Sequence, residues 1–358
     1  MRVLVAMSGG VDSSVVAGLL VEAGHEVIGV TLQLYDHGAA TARKGACCAG
    51  QDIHDARRVA DHLGIPHYVI DAEARFRDAV IADFAGAYAR GETPVPCVRC
   101  NQTVKFTDLV ALADDLGAER LATGHYVRRL EGPEGAELHR AADPARDQSW
   151  FLFATTRAQL GRTLFPLGDM PDKAAVRAEA GRLGLKVASK PDSQDICFVP
   201  QGSYAEVVAR LHPEAAEPGD IVTAAGEVVG RHAGIAQYTV GQAKRLGSAA
   251  QEGGERRVVV ALDGPRRRVV VGPAGGGTKL VALREVNWLT GQRALRCAVK
   301  LRARDSLHPA ELVPTADGAE VHLDAPALPA PGQACVFYDG TRVLGGGFIR
   351  PPALRAIG

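Results

Sequence analysis

No run of about 18 consecutive apolar residues occurs in this chain of 358 residues, and a helix that crosses a bilayer needs roughly that many. Arg2 leads at once into the strand-like Val3-Leu4-Val5, without the longer apolar stretch of a secretory leader. A cytoplasmic protein with no membrane partner is therefore expected. Net charge is missing too, since 41 Lys and Arg balance 41 Asp and Glu. That balance argues against a uniformly basic nucleic-acid binder. Internal repeats and low-complexity tracts are absent as well. The remaining composition, 46% hydrophobic and 23% charged, is that of an ordinary globular protein.

The length exceeds what one core usually serves, so several domains are expected. The seven cysteines, Cys47, Cys48, Cys97, Cys100, Cys197, Cys297 and Cys335, form an odd set. In a reducing compartment, structural disulfides are disfavoured, and clustered thiols point to catalysis or metal binding. Charge is also uneven along the chain. Between Arg256 and Arg304 twelve Lys or Arg face only Asp263 and Glu285. Screening limits the reach of distant acids to roughly 10 Å, so this tract can bind phosphates locally; as a solvated face of a β-rich domain it has equal standing.

The first half alternates apolar strands with amphipathic helices. Strands are expected at Val3–Met7, Val27–Leu32, His67–Ile70 and Arg120–Thr123, and helices at Ser13–Ala23, Gln51–Leu63, Phe76–Ala89 and Phe106–Leu116. Such alternation implies βαβ units around a parallel sheet. Ligands of such sheets gather at the carboxyl ends of the strands, where Met7, Leu32 and Thr123 lie. After Leu211 the segment His212–Gly219 reads as a linker, and short strands with glycine turns follow, including Asp220–Val222, Glu227–Gly230, Tyr238–Val240, Arg257–Leu262 and Arg268–Gly272. Strands at Leu295–Leu301, Glu320–Leu323 and Ala334–Tyr338 suggest a closed barrel. The expected domains are an α/β catalytic domain over 1–211, a β-rich central domain over 212–275 and a C-terminal β-barrel over 276–358.

Between the first strand and first helix lies Ser8-Gly9-Gly10-Val11-Asp12-Ser13-Ser14. Glycines let backbone N–H groups close on phosphate oxygens at a helix N-terminus, and the serines add hydroxyl donors. No Gly-Lys-Ser or Gly-Lys-Thr follows, so this is not a Walker A loop. A cradle without that lysine suits a pyrophosphate group better than transfer of a terminal phosphate. Asp12 brings a negative charge to an anion site, which makes sense if it holds magnesium. The plainer alternative is a strand-to-helix turn with serine caps.

Pro94-Val95-Pro96-Cys97-Val98-Arg99-Cys100-Asn101 places two thiols in a loop with Lys105 nearby, and Asp192-Ser193-Gln194-Asp195-Ile196-Cys197-Phe198 adds a third after Lys190. Thiolates near positive charge are nucleophiles and sulfur carriers. A zinc knuckle using Cys47 and Cys48 competes with this reading. Burial as small hydrophobes suffices for Cys297 and Cys335.

The glycine loop resembles that of the PP-loop ATP pyrophosphatases. Taken with Thr93–Phe106, Ala122-Thr123-Gly124-His125-Tyr126, Arg146-Asp147-Gln148-Ser149, Ile196-Cys197-Phe198, Tyr238–Gln242, Pro331-Gly332-Gln333 and Leu344–Gly347, nearly the whole chain is similar to the tRNA-specific 2-thiouridylase family. The resemblance implies an enzyme that uses ATP to adenylate the C2 oxygen of a wobble uridine, then replaces it with sulfur, releasing AMP and pyrophosphate. It places ATP phosphates at Ala6, Met7, Ser8, Gly9, Gly10, Val11, Asp12 and Ser13, with Leu32 and Gly124 lining the nucleotide pocket. Cys197 would carry the persulfide and Cys100 would be the nucleophile, the pair ending as a disulfide. His125, Arg146, Asp147, Gln148 and Gln333 would meet tRNA, with Arg302 and Arg304 in the basic tract. The target base must be splayed out of the anticodon loop. A cysteine desulfurase or sulfur-relay protein would supply the persulfide. Relatives carry aspartate where this chain has Cys97. That third thiol would either resolve a disulfide or join Cys100 and Cys197 as ligand of an iron–sulfur cluster. An amide-forming PP-loop ligase and a non-enzymatic tRNA- or zinc-binding protein are the competing classes.

Overall fold

The computed structural model describes residues 1–35, 48–192, 196–199, 204–252 and 255–352. Its contacts divide into two compact units. The first takes in Met1–Ala79, Cys97–Phe198 and Thr341–Val343, the second Val80–Pro96, Val199–Gly340 and Leu344–Gly358.

The first unit is built on five parallel strands: β1 (Arg2–Ala6), β2 (Glu26–Gln33), β3 (His67–Asp71), β4 (Arg120–Ala122) and β7 (Thr163–Leu164), in the order β3-β2-β1-β4-β7. Val3, Leu4 and Val5 are wholly buried, as a central strand covered on both faces requires. Helix α1 (Val11–Glu22) follows β1 and hides Val15, Val16 and Ala17. Helix α2 (Cys48–Leu63) is amphipathic and buries Ala56, Val59 and Ala60 against the same core.

From β1 the chain proceeds outward to β2 and β3, then returns to place β4 on the opposite side of β1. The sheet's switch point thus falls between β1 and β4, where open α/β sheets bind ligands. Both the glycine loop after β1 and Gly124 after β4 lie at this edge. A hairpin of β5 (Val127–Gly132) and β6 (Gly135–Arg140) follows, joined through His139 to Arg342.

Two expected elements came out differently here. The run Phe76–Ala89 is split into α3 (Glu73–Phe76), a π-helical stretch Arg77–Ile81 and α4 (Ala82–Ala89). Cys97 and Cys100 lie in no loop: α5 (Pro96–Cys100) runs into a π-helical stretch Asn101–Asp108 and then α6 (Leu109–Asp115). Pro96 starts this helix, where a missing N–H and a fixed φ are advantages. Helices α7 (Arg157–Arg162) and α8 (Lys173–Arg182) both begin with side-chain caps, from Thr156 and Asp172.

The second unit contains α9 (Tyr204–Leu211) and two sheets. In the central sheet, β10 (Gln251–Glu252), β11 (Glu255–Asp263), β12 (Arg268–Pro273), β8 (Gly219–Thr223) and β9 (Val228–His232) are neighbours in that order. Tyr238–Val240 is not a strand; it follows a 3-10 turn, Ile235–Gln237, and the Tyr238 hydroxyl donates to the Arg245 carbonyl. The alternation that suggested a strand reflects buried Tyr238 and Val240 in an irregular segment. Strands β13 (Thr278–Trp288), β16 (Gly318–Ala327), β15 (His308–Thr315), β14 (Leu295–Lys300), β17 (Ala334–Asp339) and β18 (Arg342–Ile349) run in that order, and β18 pairs back onto β13. The barrel is closed, and Val281, Leu312, Val321, Cys335 and Phe337 fill it.

Candidate functional site

The loop after β1 is wired from within. Gly9 takes φ +74°, and a Cβ there would stand 2.1 Å from the Asp52 carbonyl oxygen, so only glycine fits. The Ser8 N–H donates to Ser13 Oγ (3.0 Å), and the hydroxyls of Ser13 and Ser14 both reach the Gly10 carbonyl, at 3.3 and 2.8 Å. These two hydroxyls are thus spent on the turn, and that of Ser8, an exposed residue, lies 3.3 Å from Ser13 Oγ. Beneath the loop, Thr31 Oγ1 donates to the Met7 carbonyl at 2.7 Å. Gly124 closes the other side, since a Cβ there would meet Ser13 N at 3.0 Å.

Asp12 is not an isolated charge. Lys173 Nζ donates to its Oδ1 (2.7 Å) and Oδ2 (2.8 Å), and the Tyr126 hydroxyl donates to Oδ1 at 2.6 Å. The same ammonium lies 2.9 Å from Asp192 Oδ1, and Arg146 Nη1 reaches Asp192 Oδ2 at 2.8 Å. Burial works to raise the Asp192 carboxyl, but hydrogen bonds from Lys173 and Arg146 outweigh it and hold the group below the usual range. Burial and the bond to Asp12 push the Tyr126 hydroxyl up, so it stays a donor. A second lysine braces the other flank: Lys190 Nζ donates to the Gly9 carbonyl (2.9 Å), Asp52 (2.7 Å) and Asp55 (2.6 Å). Burial would lower its pKa, yet the two carboxylates raise it overall.

Both oxygens of Asp12, the residue expected to hold magnesium, accept from an ammonium in this structure. Among the described residues no group of three or more His, Cys, Asp or Glu is disposed to hold a metal ion. Cys97, Cys100 and Cys197, the ligands expected of an iron–sulfur cluster, are not such a group; Cys100 is buried, whereas Cys97 and Cys197 are exposed. Cys47 and the side chain of Cys48 lie outside the described residues, and the zinc reading that used them with them.

The three thiols are brought together in the first unit, close enough that Cys97 acts on Cys100 and both act on Cys197. All are free. Burial raises the Cys100 thiol above its usual pKa, with Lys105 opposing and Cys97 adding to the rise. For Cys197 the order is surrounding protein first and Cys100 second, both raising it, with Lys105 again opposing. Although the residue is exposed, neighbouring atoms crowd the sulfur. Lys105 also acts on His125, whose pKa burial lowers to about 3 with Lys105 assisting. His125 bonds Thr123 Oγ1 at 2.9 Å and stacks on Phe106. One ammonium, Lys105, therefore acts on Cys100, on Cys197 and on His125, whose Thr123 partner follows β4.

The expected tRNA contacts divide. Arg146 is committed to Asp192. Asp147 points inward, accepting from Arg140 Nε (3.1 Å), Ala141 N (3.1 Å) and Ser149 Oγ (3.0 Å). Gln148 Oε1 accepts from Tyr126 N at 2.9 Å. In the second unit, Gln333 Nε2 donates to the Thr93 carbonyl (3.1 Å) and Arg302 Nη2 to the carbonyls of Val240 and Leu328. Arg304 is exposed. Arg266, Arg267, Arg284 and Arg296 pair with Asp263, Glu217, Glu92 and Asp324, so much of the basic tract serves the unit's own packing.

Sequence reasoning missed Lys173, Tyr126 and Asp192 as parts of the loop's surroundings. Nothing local marks them, because their partners lie more than a hundred residues away or on another element.

Residues 1–201 match the family model described as the tRNA methyl transferase HUP domain, 206–273 the tRNA methyl transferase PRC-barrel domain, and 278–349 the aminomethyltransferase beta-barrel domain. The chain is 70% identical to the tRNA-specific 2-thiouridylase MnmA of Acidiphilium cryptum (strain JF-5), with 98% of this chain and 100% of that one covered. It is 64% identical to the protein of the same name in Gluconobacter oxydans (strain 621H), over 98% and 99% of the two chains. In Rhodospirillum centenum (strain ATCC 51521 / SW) the identity is 60%, over 97% and 91%. Among the described residues no helix is long and apolar enough to cross a membrane.

Proposed function

Because the chain belongs to the tRNA-specific 2-thiouridylase family, we propose that it activates the C2 oxygen of a wobble uridine in tRNA with ATP and replaces it with sulfur. The observation that carries this reading is the pairing, in one unit, of an anion-ready loop with a group of thiols in which Cys97 acts on Cys100 and both act on Cys197. The loop offers the first N–H groups of α1, and Lys173 cancels the Asp12 charge that would repel phosphate. Magnesium would enter with the nucleotide; no step is assigned to Asp12 as its ligand.

Oxygen on a pyrimidine carbon leaves poorly, so adenylation converts it into AMP and pyrophosphate departs. The terminal sulfur of a Cys197 persulfide attacks C2 and AMP leaves. Cys100 then attacks the Cys197 sulfur, breaking the S–S bond, releasing 2-thiouridine and leaving a Cys100–Cys197 disulfide. A dithiol reductant restores both thiols, and a desulfurase or sulfur relay reloads Cys197 in the cytoplasm. Lys105 supports this by favouring the thiolate forms. Arg304, which is exposed, would meet the tRNA backbone.

The test is incubation of purified protein with ATP, magnesium, a persulfide donor and transcribed tRNA, followed by nucleoside mass analysis. 2-Thiouridine is the expected product, lost in Cys197→Ser and Cys100→Ser. Absence of the product with a competent donor, or its survival in Cys197→Ser, overturns the reading.

A further inference from the structure

The β5–β6 hairpin carries a group of side chains that thiolation leaves unused. Glu137 and His139 stand two residues apart on β6, where alternate residues share a face, and Thr341 and Arg342 belong to the same unit as the hairpin. His139 Nε2 lies 3.1 Å from Glu137 Oε2, and His139 Nδ1 lies 3.0 Å from Thr341 Oγ1. We propose that Glu137, His139 and Thr341 form a second reactive centre, in which the Thr341 hydroxyl takes an acyl group from a donor whose leaving group is stable as an anion.

The direction of the two hydrogen bonds follows from the groups themselves. A carboxylate only accepts, so the bond to Glu137 places the ring proton on Nε2. Neutral His139 then has a lone pair on Nδ1, and the Thr341 hydroxyl donates to it. Both separations fall within the roughly 2.6–3.2 Å over which a base takes a proton from a nucleophile. Nucleophile, base and orienting carboxylate stand in the order that acyl transfer by a hydroxyl uses.

Burial divides the three members by role. The side chains of Glu137 and His139 are only 11% and 12% exposed, whereas Thr341 is exposed, so the base is sheltered while the nucleophile meets solvent. Main-chain pairing keeps the two sides together: Arg140 N donates to the Thr341 carbonyl at 2.8 Å, and Arg342 pairs with His139. Arg342 Nη2 also lies 2.9 Å from Glu137 Oε1, an ion pair without hydrogen-bond alignment. Transfer of a phosphoryl group needs cations free to offset its charge, and Arg342 already faces Glu137. An uncharged acyl donor therefore suits the centre. In the step, Thr341 Oγ1 bonds to the carbonyl carbon, its proton passes to His139 Nδ1, and the leaving group departs with its bonding electron pair. An O-acyl threonine remains, and His139 gives the proton to solvent.

The test needs neither ATP nor tRNA. The full chain, its thiols first blocked with N-ethylmaleimide, is incubated with p-nitrophenyl acetate, and acetyl groups are located over time by peptide mass analysis. Thr278 is the internal control, since it is exposed and its hydroxyl donates to the Leu280 carbonyl rather than to a base. Thr341 is expected to be acetylated at least about tenfold faster than Thr278, a small share of what general bases supply. His139→Gln, which keeps a polar side chain but no base, should bring Thr341 down to the Thr278 rate, whereas Thr341→Ser should keep the reaction. Imidazole added to His139→Gly should restore part of the rate, a response that a merely structural role for the histidine would not give. Acetylation of Thr341 no faster than that of Thr278 in the wild type, or undiminished in His139→Gln, overturns the proposal.

Discussion

A Cβ on Gly9 would stand 2.1 Å from the carbonyl oxygen of Asp52, so the turn of the glycine loop and the first turns of α2 fit only because that Cβ is absent. With Lys190 spanning Gly9 and Asp52, this contact sets where the loop's N–H groups point. Gly9→Ala must meet both the clash and the positive φ. It is expected to destabilise the protein by about 1–3 kcal/mol and to weaken ATP binding at least about tenfold. Urea unfolding and calorimetric titration check the two effects separately.

In the proposed reaction Cys100 acts as a thiolate, yet burial raises its pKa and keeps it protonated at neutral pH more than an ordinary cysteine. Its alkylation rate and the rate of tRNA thiolation should therefore climb with pH past the usual thiol range. Lys105→Ala removes the charge that opposes the rise. Both profiles should move to higher pH, with thiolation at pH 7 severalfold slower and partly recovered at pH 9. Unchanged profiles would show that Lys105 does not act on the thiols.

His125, held near pKa 3 by burial and then by Lys105, binds fewer protons folded than unfolded. The stability it contributes is present above its ordinary pKa of about 6.5 and is lost as pH falls from there toward 3, by at most about 1.4 kcal/mol per pH unit. His125→Gln should make the acid limb shallower. His67 and His232, also lowered by burial, keep the limb from vanishing. Urea midpoints between pH 7 and pH 4.5 give the comparison.

Arg284 grips Glu92 with two parallel bonds, Nη1 to Oε1 at 3.0 Å and Nη2 to Oε2 at 2.8 Å, and Glu92 is 3% exposed. Removing the guanidinium leaves a buried carboxylate with, among the described residues, the longer Arg90 contact at 3.5 Å. Arg284→Met should cost about 3–5 kcal/mol. The double variant with Glu92→Leu should recover most of that loss in thermal unfolding. A double variant as unstable as the single one would mean that the arginine stem, not the pairing, was lost.

Period and punctuation settled β1, α1, β2, α2 and β3 of the first unit. Val3-Leu4-Val5 before two glycines and an apolar helix could form little other than a strand, a tight turn and a buried helix, and the motifs in order identified the family. Those signals act over a few residues, where sterics and hydrophobic spacing decide. What surrounds Asp12 depends instead on Lys173, 161 residues away, and no local pattern announces which lysine will meet which carboxylate. The same limit explains the thiols. Prolines around Cys97 suggested a loop, but Pro96 suits a helix start, and packing of Val98 and Val104 drew the segment into a helix. The sequence by itself determined that a glycine loop and three cysteines exist. Only the tertiary structure decided that the loop's one carboxylate is neutralised and that a single lysine, Lys105, acts on both Cys100 and Cys197, because long-range charge pairing and burial arise only once distant segments pack.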